Sequence, residues 1–167
     1  MKILVAAASR HGATTEIADA LARTIRGRGH EVDVPTIESI AGLDGYDAAV
    51  IGSAVYYGHW LDPARELVEA HREALATLPV WLFSSGPLGE PGEELPKEEP
   101  VDVVSLTEAT RSVEHRMFSG RLERSRLKFR ERAMVSALHA PEGDFRDWHA
   151  IEAFAREIAT SLDSNSG

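Results

Sequence analysis

Cysteine is absent from the 167 residues, lysine occurs three times, and only 11 residues are aromatic. Without cysteine there is no disulfide scaffold, thiolate zinc site, cysteine nucleophile or cysteine-ligated iron–sulfur cluster. Any redox chemistry must then belong to a bound cofactor. Long apolar runs are missing too. The two longest uncharged stretches, Ala48 to Leu61 and Ala74 to Gly89, have 14 and 16 residues and contain Gly, Ser or Pro, short of the roughly 20 residues that span a bilayer. The apolar stretch Ile3 to Ala8 has six residues, fewer than a signal-peptide core needs. The expectation is one soluble, cytoplasmic domain. The scarcity of lysine against 15 arginines reads as coding bias.

Charge of one sign predominates. The formal charge is −9, from 27 acidic residues and 18 Lys+Arg. Phosphate backbones are repelled by such a surface, which argues against a nucleic-acid partner. The excess is uneven, however. Arg111 to Arg132 holds eight basic and three acidic residues, a local +5, against ten basic and 24 acidic, −14, elsewhere.

The hydrophobic pattern predicts alternating strands and helices. Ile3 to Ala8, Ala48 to Val55 and Val80 to Phe83 are continuous apolar runs, as strands buried on both faces require. Shorter strands are expected at His30 to Val34 and Val113 to Phe118. Helical stripes follow: Ile17, Leu21, Ile25, then Leu67, His71, Leu75, Leu78 after an Asp62-Pro63 start, then Trp148 to Leu162. Ser105-Leu-Thr-Glu108 has capping-box spacing. Gly86 to Pro100, with three Gly, four Pro and five Glu, is expected as a surface loop. A helix is expected over Leu122 to Leu138, and Asp163 to Gly167 as a disordered tail, which bounds the domain at 1–162. Strands alternating with helices imply an α/β fold: a parallel sheet in a three-layer αβα sandwich, five strands in the order 2-1-3-4-5. Ligands of such sheets bind beyond the carboxyl ends of the strands, so the segments after Ala8, Gly52 and Phe83 should converge.

The first of these is Ser9-Arg10-His11-Gly12-Ala13-Thr14-Thr15. Gly12 lets backbone approach a ligand, and the amides that follow lie at a helix N-terminus, where phosphate is favoured. The same residues also suit an ordinary turn capped by Thr14 or Thr15. No GxGxxG or GxxxxGK[ST] is present, which disfavours dinucleotide and P-loop folds. The second segment, Ser53-Ala54-Val55-Tyr56-Tyr57-Gly58-His59-Trp60, gathers three aromatic rings beside a glycine. A planar heterocycle stacked there gains about 0.5–1.5 kcal/mol per ring; alternatively Tyr57 and Trp60 pack on the next helix. The third, Ser84-Ser85-Gly86-Pro87-Leu88, can cover another edge of such a ligand or form a plain turn.

Ser9-x-x-Gly12-x-Thr14 after the first strand resembles the phosphate loop of flavodoxin-like proteins, which bind FMN. Within them the chain is similar to the menaquinone-dependent protoporphyrinogen IX dehydrogenases. The matching stretches are Ser9-Arg10-x-Gly12-x-Thr14, Tyr46-Asp47 with Val50-Ile51-Gly52, Tyr57-Gly58-His59, and Asp147-Trp148 with Phe154 to Ala159. The resemblance implies FMN as cofactor, with Ser9, Arg10, His11, Gly12, Ala13 and Thr14 on its phosphate. Ser53 to Trp60 and Ser84 to Leu88 would flank the isoalloxazine. It also implies an oxidoreductase passing electrons from an organic substrate, a porphyrinogen or similar, through FMN to a quinone-type acceptor in haem biosynthesis. No catalytic residue follows from it. Two features depart from the pattern. His11 stands where flavodoxins have Ser or Thr and the closer family an acid; as His⁺ it would attract phosphate, so FMN affinity is expected to rise below about pH 6.5. The segment between Gly120 and Asp147 is shorter than the family's insertion, which puts the quinone partner in question.

The basic stretch Arg111 to Arg132 suits weak contact with an anionic membrane surface, at the inner face of the membrane. It also suits arginines paired with nearby glutamates. The non-enzymatic alternative for the whole chain is a flavodoxin-like electron carrier that docks redox proteins through its acidic surface. Other classes fail. A phosphorelay receiver needs acids where Ala7-Ala8-Ser9 and Gly52-Ser53 stand, a hydrolase elbow needs GxSxG, and the seven histidines have no metal-ligand spacing.

Overall fold

The computed structural model describes residues 1–86, 100–122, 128–137 and 143–166. Five strands run parallel: β1 (Lys2–Ala8), β2 (Glu31–Asp33), β3 (Ala48–Tyr56), β5 (Val80–Gly86) and β6 (Glu114–Ser119). They lie in the order β2-β1-β3-β5-β6, with the two-residue β4 (His59–Trp60) folded back antiparallel on β3. Counting parallel strands alone, this is the expected 2-1-3-4-5. Two short strands absent from the sequence reading, β7 (Arg121–Leu122) and β8 (Gly143–Asp144), pair outside the main sheet.

Alternation along each strand sends side chains to opposite faces, and helices cover both. On one face Ile3, Val5, Val50 and Phe83 pack against α1 (Ala13–Gly27) and α6 (Trp148–Asn165) through Ile17, Leu21, Phe154 and Ile158. On the other, Leu4, Ile51 and Leu82 meet Leu67, Leu75 and Leu106. These last come from α2 (Asp62–Ala70), α3 (Arg72–Leu75) and α4 (Val103–Thr110). The stripe Leu67 to Leu78 is therefore two helices, broken at His71.

Several boundaries differ from expectation. Helix α6, N-capped where Asp147 accepts from the Ala150 amide at 3.1 Å, runs on to Asn165. The start of the expected tail is thus helical, because Ser164 and Ser166 hydroxyls bond back to the carbonyls of Thr160 and Leu162. Helix α4 starts two residues before Ser105, which donates its hydroxyl to the Asp102 carbonyl. The helix expected over Leu122 to Leu138 is also corrected. Leu122 belongs to β7, and the helix here is α5 (Phe129–Ala137). Leu127, Leu138, Arg124 and Arg126 fall outside the described residues, as does most of the expected loop Gly86 to Pro100, although Gly86 itself ends β5. Among the described residues no helix is long and apolar enough to cross a membrane.

Candidate functional site

Sheet register gathers the three segments. Ala8 pairs with Ser53 and Ser53 with Ser84, so the ends of β1, β3 and β5 lie side by side.

After β1 the chain turns at Gly12, whose φ of +86° favours glycine. Its amide donates to Ser9 Oγ at 3.0 Å, and Gly12, rather than Thr14 or Thr15, precedes α1. No side chain caps the helix, which leaves first-turn amides without a side-chain acceptor. Thr14 is buried. Two nearly buried arginines hold the loop from outside: Arg121 donates to the His11 carbonyl at 3.1 Å and Arg146 to that of Ala13 at 3.4 Å. Both pair with Glu16 in the first turn of α1, and Arg146 also with Asp144 at 2.7 Å.

The cationic side of the loop meets α5. His11 Nε2 lies 2.7 Å from a carboxylate oxygen of Glu131, and Arg10 Nη1 lies 4.0 Å from the other. Glu131 is only 8 % exposed. The Arg10 guanidinium also stacks over the Tyr56 ring at 4.5 Å. Burial, reinforced by the Glu131 charge and opposed by Arg10, pushes the Tyr56 hydroxyl above its ordinary pKa.

Beyond β3, Tyr57 and Gly58 both have positive φ, +52° and +77°. Two such central residues make the tight turn that matches strand twist in a hairpin, and it pairs Tyr56 with His59 and Val55 with Trp60. Ser53 Oγ fixes the return by accepting from the Leu61 amide at 2.9 Å while donating to the Ala54 carbonyl. The three rings separate. Tyr57 is 78 % exposed, whereas Trp60 is 2 % exposed in the core. Its indole N–H donates to Ser84 Oγ at 2.7 Å, which itself lies 2.7 Å from His115 Nε2. His59 Nδ1 stands 3.1 Å from Asp102, which also accepts the Trp60 amide at 3.0 Å.

The residues singled out in sequence thus divide in two. Ser9 to Gly12, Tyr56, Tyr57, Gly58 and His59 line the outer end of the sheet. Ser53, Ala54, Trp60, Ser84, Ser85 and Gly86 are buried and support it. Pro87 and Leu88 lie outside the described residues. Glu131, Asp102, Arg121 and Arg146 were not singled out. Only contacts made by the folded chain connect them to the loops. Among the described residues no three His, Asp or Glu side chains cluster as metal ligands.

This donor set fits a phosphate monoester. Uncapped amides, an open Gly12 with nothing near a would-be Cβ, and two basic side chains converge, and they already draw a carboxylate to themselves. The loop has the chemistry to accept an anion, and Tyr57, which follows the Tyr56 that stacks under Arg10, exposes its ring.

Comparison with known proteins agrees. A profile of the flavodoxin domain matches residues 4–148. Protoporphyrinogen IX dehydrogenase [quinone] from Escherichia coli K12 is 27 % identical over 176 aligned positions, covering 98 % of this chain and 97 % of that protein. An archaeal flavodoxin superposes with a TM-score of 0.63 at 16 % identity, covering 98 % of this chain and 99 % of that one. The flavodoxin of Streptococcus pneumoniae TIGR4 gives 0.59 at 19 %, with 96 % and 99 % covered. The chain belongs to the flavodoxin domain family, and its cofactor is FMN.

Proposed function

We propose that this protein is an FMN-dependent oxidoreductase that takes electron pairs from a porphyrinogen-type substrate and passes them to a quinone-type acceptor, as in haem biosynthesis. The observation that carries the reading is likeness along nearly the whole chain to a protein named for that reaction, 98 % of one and 97 % of the other. Bound FMN supplies the two-electron chemistry. In this reading Ser9 to Thr14 hold its phosphate, and the hairpin at Tyr57-Gly58 and the end of β5 flank its ring. The buried pair of Trp60 and Ser84 keeps the hairpin fixed.

The protein works in the cytoplasm, with weak attachment to an anionic membrane surface through Arg111 to Arg132. Exposed Phe129, between Lys128 and Arg130, supports that attachment. Other arginines of the stretch are engaged inward: Arg116 with Glu114 and Glu157, Arg121 with Glu16. Equal flotation with neutral and anionic vesicles would remove this part of the reading.

A second reading, an electron carrier docking protein partners, is favoured by the acidic body and by the flavodoxin-like superpositions. Anaerobic mixing of FMN-loaded protein with a porphyrinogen and a water-soluble quinone separates the two. Porphyrin fluorescence that grows with enzyme and quinone, with no partner protein present, supports the enzyme. Reduced flavin that exchanges electrons only with a redox protein supports the carrier.

A further inference from the structure

We propose that His59, oriented by Asp102, is the proton-accepting residue of this site. The proposal rests on the reading above of an oxidoreductase acting on a porphyrinogen-type substrate.

Tyr56 and His59 are direct partners across the hairpin, so their side chains leave on the same face. That face is turned to the phosphate loop, because Arg10 of that loop lies over the Tyr56 ring. Asp102 occupies the N-cap position of α4 yet makes no side-chain cap. Its carboxylate instead reaches 43 residues back, to His59 Nδ1 at 3.1 and 3.3 Å and to the Trp60 amide at 3.0 Å. A carboxylate at Nδ1 selects the tautomer protonated there and leaves the lone pair on Nε2. Among the described residues Nε2 has no hydrogen-bond partner, and the side chain is half exposed. Among the described residues, Arg65 of α2 also lies beside this pair, its Nε 4.0 Å from Asp102. Tyr56 and Tyr57 are the neighbouring titratable groups on the hairpin. Base, orienting carboxylate and open nitrogen are the parts that general-base catalysis requires.

The chemistry needs such a base. Oxidising a saturated carbon that bridges two pyrroles removes a hydride equivalent from its C–H, which the oxidised flavin would take up, and a proton from the N–H of an adjoining pyrrole, as a C=C bond forms at the bridge and a C=N bond within that ring. His59 Nε2 accepts that proton, with Nδ1–H still held by Asp102, and passes it to water before the next electron pair is removed. Two electrons and two hydrogens leave the substrate at each step.

The test uses FMN-loaded protein, with flavin content verified by absorbance, and three variants: His59→Gln, His59→Gly and Asp102→Asn. Long-range ¹H–¹⁵N correlation spectra of the FMN-free protein should place the His59 proton on Nδ1 in wild type and shift it towards Nε2 in D102N. Porphyrinogen oxidation should fall at least 100-fold in H59Q and about tenfold in D102N. The acid limb of the kcat/KM profile should vanish in H59Q, and imidazole should restore part of the activity of H59G. A mere hairpin clip would lower the rate at all pH values alike and give no imidazole rescue. H59Q activity within twofold of wild type with the acid limb kept would overturn this role alone. Wild-type protein that holds FMN but oxidises no porphyrinogen would overturn both the role and the reading beneath it.

Discussion

The carboxylate of Glu131 lies 2.7 Å from Nε2 of His11, on the loop after β1 that we propose holds the FMN phosphate, although 120 residues separate the two in sequence. The loop therefore carries an internal anion that competes with phosphate for Arg10 and His11. Glu131→Gln keeps the shape and a neutral hydrogen bond while removing the charge. One unit charge about 4 Å away is worth about 1 kcal/mol even at the dielectric of bulk water, and more beside a carboxylate as buried as Glu131. FMN should consequently bind E131Q at least about fivefold more tightly, as read from quenching of flavin fluorescence.

Tyr57 combines 78 % exposure with a φ of +52°, a conformation that a bulky residue adopts at a cost of about 1 kcal/mol or more. In the function proposed above, this conformation presents the ring to FMN. Tyr57→Gly should leave thermal stability unchanged or slightly raised, since glycine takes this φ freely. FMN affinity should meanwhile fall about two- to tenfold, the worth of one stacked ring. Paired melting curves and FMN titrations check both halves.

The fold was legible because its information is local. Ile3 to Ala8 and Val80 to Phe83 are apolar at every position, and Ala48 to Val55 at all but Ser53, a pattern forced on strands covered on both faces. The turn at Gly12 between β1 and α1 was legible for the same reason, since glycine at a strand-to-helix turn is a short-range signal. The fate of the hairpin rings was not. Tyr56, Tyr57 and Trp60 look alike in sequence, and only the turn geometry decides that Trp60 goes inward to Ser84 while Tyr57 goes out. Glu131 and Asp102 were out of reach altogether, because their partners come from chain reversal.

Gly52 and Phe83 face each other across β3 and β5, and the Phe83 ring fills the space a Cβ on Gly52 would need. Phe83 cannot retreat: Phe118 is packed at 6.2 Å on one side, and Phe118 in turn meets Phe154 at 5.7 Å. Gly52→Ala should thus behave as an overpacking mutation, costing about 1–3 kcal/mol, or roughly 2–12 °C in Tm for a chain of this size. Differential scanning calorimetry measures it. Gly52→Ala combined with Phe83→Leu should recover part of the loss, because the smaller side chain vacates the contact.

The clamp outside the phosphate loop should be sensitive to acid. Arg146 holds the Asp144 carboxyl below its ordinary pKa, chiefly through their side-chain hydrogen bond and against the opposing effect of burial. A carboxylate with a depressed folded-state pKa contributes stability above its unfolded value, near 3.9, and loses it as pH falls through the folded value. Protonating Asp144 frees one side of Arg146, which also donates to the Ala13 carbonyl and bonds Glu16. The pairing of β7 with β8 and the Phe145 amide bond to the Gly120 carbonyl at 3.0 Å should then loosen before the main sheet does. Hydrogen-exchange protection of the Phe145 amide, corrected for intrinsic rates, should drop between pH 5 and pH 3 in wild type. In Asp144→Asn it should already be low at pH 5 and change little on acidification. Protection that follows that of β3 at every pH would show that the clamp opens only with global unfolding.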